Sequence, residues 1–513
     1  MKKFLFSIAA AVLLANVAPL RAEVSLPAIF SDHMVLQSDV AVPVWGWAEA
    51  GEQVTVSIAG QTKTATADAS GAWSLKLDPL KAGEALTLTV KGKNSITVQD
   101  VVAGEVWLCS GQSNMAMTVN RAKNFDAEKT AATLPLIRQF REQSGGAATP
   151  QAKGQGKWEL CSPETVGGFS ATAYFFGLNL HKKLNVPVGL INSSVGGTPV
   201  EAWTSLDMQK SIPELKPMFE AHEKNAAAWD PAKAQETYEK QLAAYNAAAA
   251  KAKAAKKEVR GRPPRKPGDP KSGGKLPSSL FNGKISPLIP YAIRGAIWYQ
   301  GEANARSVES GKLYAFQLAA LVKDWRARWG EGDFPFAWVQ LPNFKAPQKE
   351  PVEDDGWPSV RESMLKTLAL PHTGMAIAMG AGEAGNIHPQ NKQAVGLRLA
   401  SWALADVYKK SGFAASGPLP AGSEIKGSEI VVTFSHTDGG LVAEGGELKG
   451  FAIAGADKKW VRATAKISGA TVIVSSPDVK EPKAVRYAWA NNPDCNLQNG
   501  EGLPASPFRT DDW

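Results

Sequence analysis

Between residues 101 and 410 the chain alternates short, largely apolar runs with longer stretches of helical periodicity, and that alternation leaves very few folds open. The runs are 102–109, 134–141, 186–192, 293–299, 335–341 and 374–380. Helical periodicity fits 170–184, 311–329, 357–370 and 389–409. Strands of this kind are buried on both faces, so the pattern predicts an α/β fold, a parallel sheet flanked by helices. Ligands of such sheets gather beyond the carboxyl ends of the strands, which singles out the residues that follow each run.

The flanks read differently. Val54, Val56 and Ile58, then Trp73, Leu75 and Leu77, then Leu86, Leu88 and Val90 alternate with period two, which predicts an N-terminal β-sandwich over 23–100. Beyond 411 the patterning returns to β, predicting a small C-terminal β unit over 411–513. Residues 205–280 interrupt the central pattern. Their Ala-, Lys- and Glu-rich part, 223–258, predicts helix, and RGRPPRKPGDPKSGGK after it breaks both helix and strand. The insert reads as a solvated surface elaboration, with a polyanion-binding element as its alternative.

Residues 1–22 combine a basic start, an apolar stretch and a small residue at Ala22. That is the pattern of a secretory signal cut before Glu23, with an apolar part too short for a membrane span. The expected mature protein is exported, periplasmic or secreted, with no stable membrane insertion. Charge offers no case for a nucleic-acid partner once it is located. The whole chain carries +8, and loss of Lys2, Lys3 and Arg21 with the leader leaves +5. Residues 251–276 hold ten Lys or Arg against two acids, so the rest is mildly acidic. Cys109, Cys161 and Cys495 show no paired spacing, so neither a disulfide framework nor a zinc knuckle is indicated, and one bridge stays open.

Ser113 follows the 102–109 run in GEVWLCSGQSNMAM, where Gly-Gln-Ser-Asn is either an ordinary turn or a nucleophile at a sheet edge. A serine hydroxyl reacts only with a base in reach and donors for the developing oxyanion. Of six histidines, His388 is the one that follows a strand run, with Pro389 suited to the first turn of a helix. His372 precedes the same run and falls at the opposite edge. Oxyanion donors are on offer from the backbone N–H of Gly196 or Gly197 and from the side chains of Gln300 or Asn304. Gln112 and Asn114 beside Ser113, and Trp298, Tyr299 and Glu302, are candidate substrate contacts. Buried core is nevertheless the commoner fate of such strand aromatics, and a turn acid more often ties loop amides together. Glu302 with Glu383 can be cast as a glycosidase pair, a poorer account than Ser113 with His388.

WLCSGQSNM, NSSVGGTPVEAW, IWYQGEANA and NIHPQNKQAVGLRLA together resemble the ordered blocks of the sialate O-acetylesterase family, within the SGNH hydrolases, across 101–410. LPAIFSDHMVLQ and VRYAWANNPDCNLQNGEGLPASPFRT resemble the family's β extensions. The resemblance implies an SGNH-hydrolase-like catalytic domain with Ser113 as nucleophile and His388 as base. It implies an oxyanion hole from the Ser113 N–H, a Gly196–Gly197 amide and Gln300 or Asn304. It further implies an acetyl-enzyme, an acetylated sialic acid or related glycan as substrate, and no metal or organic cofactor. Family members often carry an Asp shortly before the His, where this chain has Gly385 and Asn386. The third member is therefore Glu383, Asn386 or a backbone carbonyl. An acetylxylan-type esterase and a non-catalytic glycan-binding protein on a hydrolase scaffold are the alternatives.

Overall fold

The computed structural model describes residues 23–513 except Glu84, Arg260, Arg262, Pro267, Gly268 and residues 270–274. The expected signal segment lies outside the described residues. The central sheet runs from edge to edge as Thr373–Ile377, Phe336–Gln340, Gly295–Tyr299, Ser95–Gly111, Val188–Ser194, Leu134–Glu142 and Gly156–Cys161. Neighbours among the first six pair parallel, and Gly156–Cys161 pairs antiparallel with Leu134–Glu142. Each expected run thus holds a strand. The antiparallel edge strand is a departure, because its half-exposed sequence GKWELC lacks the continuous apolar character of its neighbours.

Residues along each central strand alternate between two cores. Val106 and Leu108 pack on one face with Ala296, Trp298, Phe336 and Trp338; Trp107 and Cys109 pack on the other with Ile297, Tyr299, Ala337 and Val339. The period of two imposes this split, and burial of both faces is why the runs are apolar at nearly every position. The first core is closed by helices Val308–Trp329 and Gly356–Thr367, the second by Ala171–Leu184 and Lys392–Trp402. Helix boundaries follow local chemistry. Ser307 and Ser310 form a reciprocal cap at the start of Val308–Trp329, and Gly330 ends it in the left-handed region at φ 69°.

The expected boundary at residue 100 falls inside one 17-residue strand, Ser95–Gly111. Its first half pairs antiparallel with Leu86–Lys91 and its second half parallel with the central sheet. Three further N-terminal strands, Val35–Gln37, Gln53–Ile58 and Gln61–Thr66, belong to the same sheet, while Val42–Trp47 pairs with Ala72–Leu77 apart from it. The change of grammar near residue 100 therefore marks a change of partners along a continuous strand.

In the insert, Lys216–Ala227 and Pro231–Ala254 are helical, and the second buries none of its residues. The C-terminal strands from Leu419 to Arg509 surround a core of their own that includes Val432, Val472, Val474 and Ile453. Arg361, fully buried on helix Gly356–Thr367, binds that region to the sheet by donating to the carbonyls of Leu341, Pro342, Ala490 and Asn491. Cys109, Cys161 and Cys495 are unbridged. Among the described residues no helix is long and apolar enough to cross a membrane.

Candidate active site

Ser95–Gly111 is the strand at which connections diverge, since Val188–Ser194 flanks it on one side and Gly295–Tyr299 on the other. The crevice beyond such a strand is where open α/β sheets place their ligands. Gly111 ends the strand at φ 136°, and a Cβ there would stand 2.1 Å from the Tyr299 carbonyl oxygen, so only glycine fits. The Gln112 N–H donates to that same carbonyl at 2.9 Å. The chain then turns into a short helix, Ser113–Ala116, whose opening amides Met115 and Ala116 both donate to the Gln112 carbonyl.

Ser113 stands half-buried at the first position of that helix. An N–H there has no partner within the helix, and among the described residues neither the Ser113 nor the Gly196 amide makes a hydrogen bond. The Gly196 backbone runs against the serine: a Cβ on Gly196 would lie 3.4 Å from the Ser113 Cβ. Val195 secures this loop by donating to the Gly111 carbonyl at 3.1 Å, and Gly197 turns it at φ 69°. Two unengaged amides beside a hydroxyl are the donors that a negatively charged oxygen needs.

His388 arrives on the loop that follows Thr373–Ile377. Asn114, next to Ser113, donates through Nδ2 to the Ile387 carbonyl at 3.0 Å, which fixes the residue before His388 against the residue after Ser113. Among the described residues the His388 ring and the Ser113 hydroxyl make no hydrogen bond to each other. Such bonds commonly tighten only when substrate arrives. Burial lowers the His388 pKa below 6.5, and the positive charges of Arg121 and Lys392 push the same way, so the ring is neutral at pH 7 and able to accept a proton. His372 lies exposed at the amino edge, where its carbonyl accepts from Phe336. Pro389 is buried, and the following helix starts at Lys392 behind an Asn391 cap, three residues later than the Pro389 signal suggests.

Several expected roles change once hydrogen bonds are traced. Glu383 does not engage the His388 ring. Its Oε2 accepts from Asn386 Nδ2 at 3.0 Å and its Oε1 from the Gln390 N–H at 2.6 Å. Asn386 Oδ1 in turn accepts from the His388 backbone N–H at 3.0 Å, so both residues shape the loop and leave the imidazole alone. Gln300 and Asn304 are occupied as well. Gln300 Nε2 donates to Asn304 Oδ1, the Thr198 carbonyl and Gln112 Oε1, while its Oε1 accepts from Tyr314. Asn304 Oδ1 also accepts from the Val200 N–H, and its Nδ2 donates to Glu201 and Gln317. Neither amide is free for an oxyanion.

The candidate substrate contacts divide in the same manner. Trp298 and Tyr299 are fully buried and point to opposite faces of the sheet, so they are core. Asn114 is fully buried: besides Ile387 it binds Glu302 Oε1 at 2.6 Å and accepts from Lys392 Nζ at 2.8 Å. Gln112 is almost fully buried, with Oε1 facing Gln300. Burial raises the Glu302 pKa, against the Asn114 bond that lowers it. A residue not singled out from sequence joins this group. Lys392 is fully buried, and burial pushes its ammonium down to about 7 while Glu302 and Glu383 pull it upward. The signal was present, since a lysine at the first position of a helix opposes the helix dipole.

The geometry agrees with three comparisons. The profile described as carbohydrate esterase, sialic acid-specific acetylesterase, matches residues 103–261 and 282–405. The sialate O-acetylesterase of Rattus norvegicus is 30% identical over 93% of this chain and 92% of its own length, and that of Homo sapiens is 29% identical over 93% and 91%. A carbohydrate acetylesterase from Xanthomonas citri superposes with a TM-score of 0.79 at 36% identity, covering 96% of this chain and all (100%) of its own. A mixed α/β sheet of this order, in this company, is that of a carboxylic ester hydrolase, which sets aside the non-catalytic alternative. The chain belongs to the sialic acid-specific acetylesterase family of carbohydrate esterases.

Proposed function

We propose that the protein is an exported serine O-acetylesterase of SGNH-hydrolase type that removes acetyl groups from acetylated sialic acid or a related glycan. The observation that carries this reading is the bond from Asn114 to the Ile387 carbonyl, which brings the Ser113 turn and the His388 loop together beside two unengaged amides. Ser113 Oγ attacks the acetyl carbonyl carbon while His388 takes its proton. The resulting oxyanion is met by the N–H groups of Ser113 and Gly196. Collapse breaks the bond to the sugar oxygen, which leaves with the proton from His388, and Ser113 keeps the acetyl group. Water then attacks that ester with His388 again as base; the bond to Ser113 Oγ breaks, His388 returns the proton to that oxygen, and acetate departs. Because neither Glu383 nor Asn386 reaches the ring, serine and histidine work as a dyad on a loop whose shape those two residues fix.

Acetate release from O-acetylated sialic acid and from acetylated xylan, with Ser113→Ala as control, tests the mechanism and separates the acetylxylan alternative. Turnover that survives Ser113→Ala removes the serine from the reaction. Preference for xylan by more than about tenfold in kcat/KM, or about 1.4 kcal/mol, replaces the sialic acid assignment. Export is read from residues 1–22: the protein recovered from outside the cytoplasm should begin at Glu23, and an intact Met1 on it refutes the cleavage.

A further inference from the structure

A cavity of about 880 Å³ opens between the N-terminal β region and the helical layer, away from Ser113. Ile289 and Pro290 line it, just ahead of strand Gly295–Tyr299, whereas Ser113 and Gln300 lie past the carboxyl edge. The five residues of that strand alone separate the two edges by about 16 Å. The cavity thus belongs to a different end of the sheet from the esterase site.

One wall is strand Val42–Trp47, in which Pro43, Trp45 and Trp47 share the outward face while Val42 and Val44 are buried behind it. The residues paired with the two tryptophans are small: Trp45 faces Ser74 and Trp47 faces Ala72. Small partners leave room beside both rings, which line the cavity and are only partly buried. Trp45 is braced edge-on by Phe30 at 4.8 Å between ring centroids. The Lys153 ammonium sits over one face of the Trp47 ring, 4.6 Å from its centre, which leaves the other face of that ring for a ligand. Neither indole N–H makes a hydrogen bond among the described residues, and nor do the Ser74 and Thr66 hydroxyls that share the lining. Loop residues Pro150 to Ala152 form the opposite wall.

Partly exposed aromatic rings with unengaged N–H and O–H groups at their margins, in a cleft of this size between structural units, suit a ligand that is flat, apolar on its ring faces and hydroxylated on its rim. Pyranose rings have that shape. We infer that this cleft is a second carbohydrate site that holds a stretch of glycan chain remote from the ester being cleaved, with Trp47 and Trp45 as stacking platforms. Lys153 over Trp47 supplies a cation and Asp68 in the lining an anion, so Lys153 is the group that a chain bearing carboxylates would engage.

Affinity electrophoresis through deacetylated xylan, hydroxyethylcellulose and polysialic acid tests this without any ester chemistry. Retardation of the parent and of Ser113→Ala by at least one polymer is expected. Trp47→Ala, and Ser74→Arg, which fills the cleft without removing a packed ring, should each bind at least about tenfold more weakly. Both should hydrolyse 4-nitrophenyl acetate at the parent rate. Retardation by polysialic acid that Lys153→Ala abolishes identifies an acidic chain; retardation by the neutral polymers, unaffected by Lys153→Ala, identifies a neutral one. No retardation by any of the three polymers, or retardation unchanged in both Trp47→Ala and Ser74→Arg, overturns the inference. Failure of the parent to cleave 4-nitrophenyl acetate would instead count against the esterase mechanism and leave the binding result standing.

Discussion

Two turns leave the carboxyl edge of the same sheet side by side, Gly111–Asn114 and Gln300–Asn304. Each follows a buried strand, each contains glycine, glutamine and asparagine, and from sequence each is a candidate to touch substrate. In the first, Ser113 is half-buried, its amide is unengaged and the Gly196 backbone runs beside it. In the second, Gln300 and Asn304 are buried and bonded to one another, to the Thr198–Glu201 loop and to helix Val308–Trp329 through Tyr314 and Gln317. A polar turn at a strand end therefore has two possible fates. Where a hydroxyl and its neighbouring backbone groups stay unengaged it can serve a ligand; where the side-chain amides are all taken up it serves the fold, because buried polar groups must find partners.

That contrast breaks most decisively at Ser113. Ser113→Ala should lower kcat for acetyl esters on the order of ten-thousand-fold or more with the fold intact, and a loss of only a few fold would place the nucleophile elsewhere. His388→Ala should cost about a hundred- to ten-thousand-fold in kcat, and a near-parent rate would show that another base serves Ser113. Asn304→Ala tests the opposite fate. It leaves the Val200 amide and the Gln300 side chain short of an acceptor, which should lower stability by about 2 kcal/mol and be visible as a fall in Tm, with kcat of the folded enzyme within a few fold of the parent. If instead Tm holds and kcat collapses, Asn304 belongs to the oxyanion site after all.

The smaller effects concern the His388 loop. Glu383→Gln should reduce kcat only a few fold, far from the roughly ten-thousand-fold seen when a triad carboxylate is replaced by its amide. The pH profile sharpens the same point. The base must be neutral, so kcat/KM should be flat at alkaline pH and fall as pH drops through the His388 pKa, which burial and the cations Arg121 and Lys392 hold below 6.5. A midpoint above 6.5 would require a carboxylate stabilising the imidazolium, and with it a triad.

Much of this was legible before any coordinates. The apolar runs located the six parallel strands, because burial on both faces leaves no polar positions to obscure the signal. The rule that ligands lie past the carboxyl ends then picked out Ser113, His388 and Gly196, and set His372 aside. What was not legible involved partners far apart along the chain. Glu383 is five residues from His388 and on the same loop, yet its carboxylate turns to Asn386 and Gln390. Lys392 lies in NIHPQNKQAVGLRLA, but that it is buried beside Asn114 depends on helix, turn and strand end converging. The boundary expected at residue 100 falls within a strand for a related reason: periodicity reports which faces are covered, and Ser95–Gly111 exchanges one set of neighbours for another without a break.

By itself the sequence determined the alternation of strand and helix, the sheet edge at which the candidate site lies, and the serine and histidine proposed to act there. These follow from local sterics and from the periodicity of burial, which act over a few residues. Only the tertiary structure decided which polar side chains remain unengaged. Hydrogen bonds are allotted among groups a hundred or more residues apart, as between Asn114 and Glu302 or Asn304 and Glu201, and no local pattern encodes that allotment.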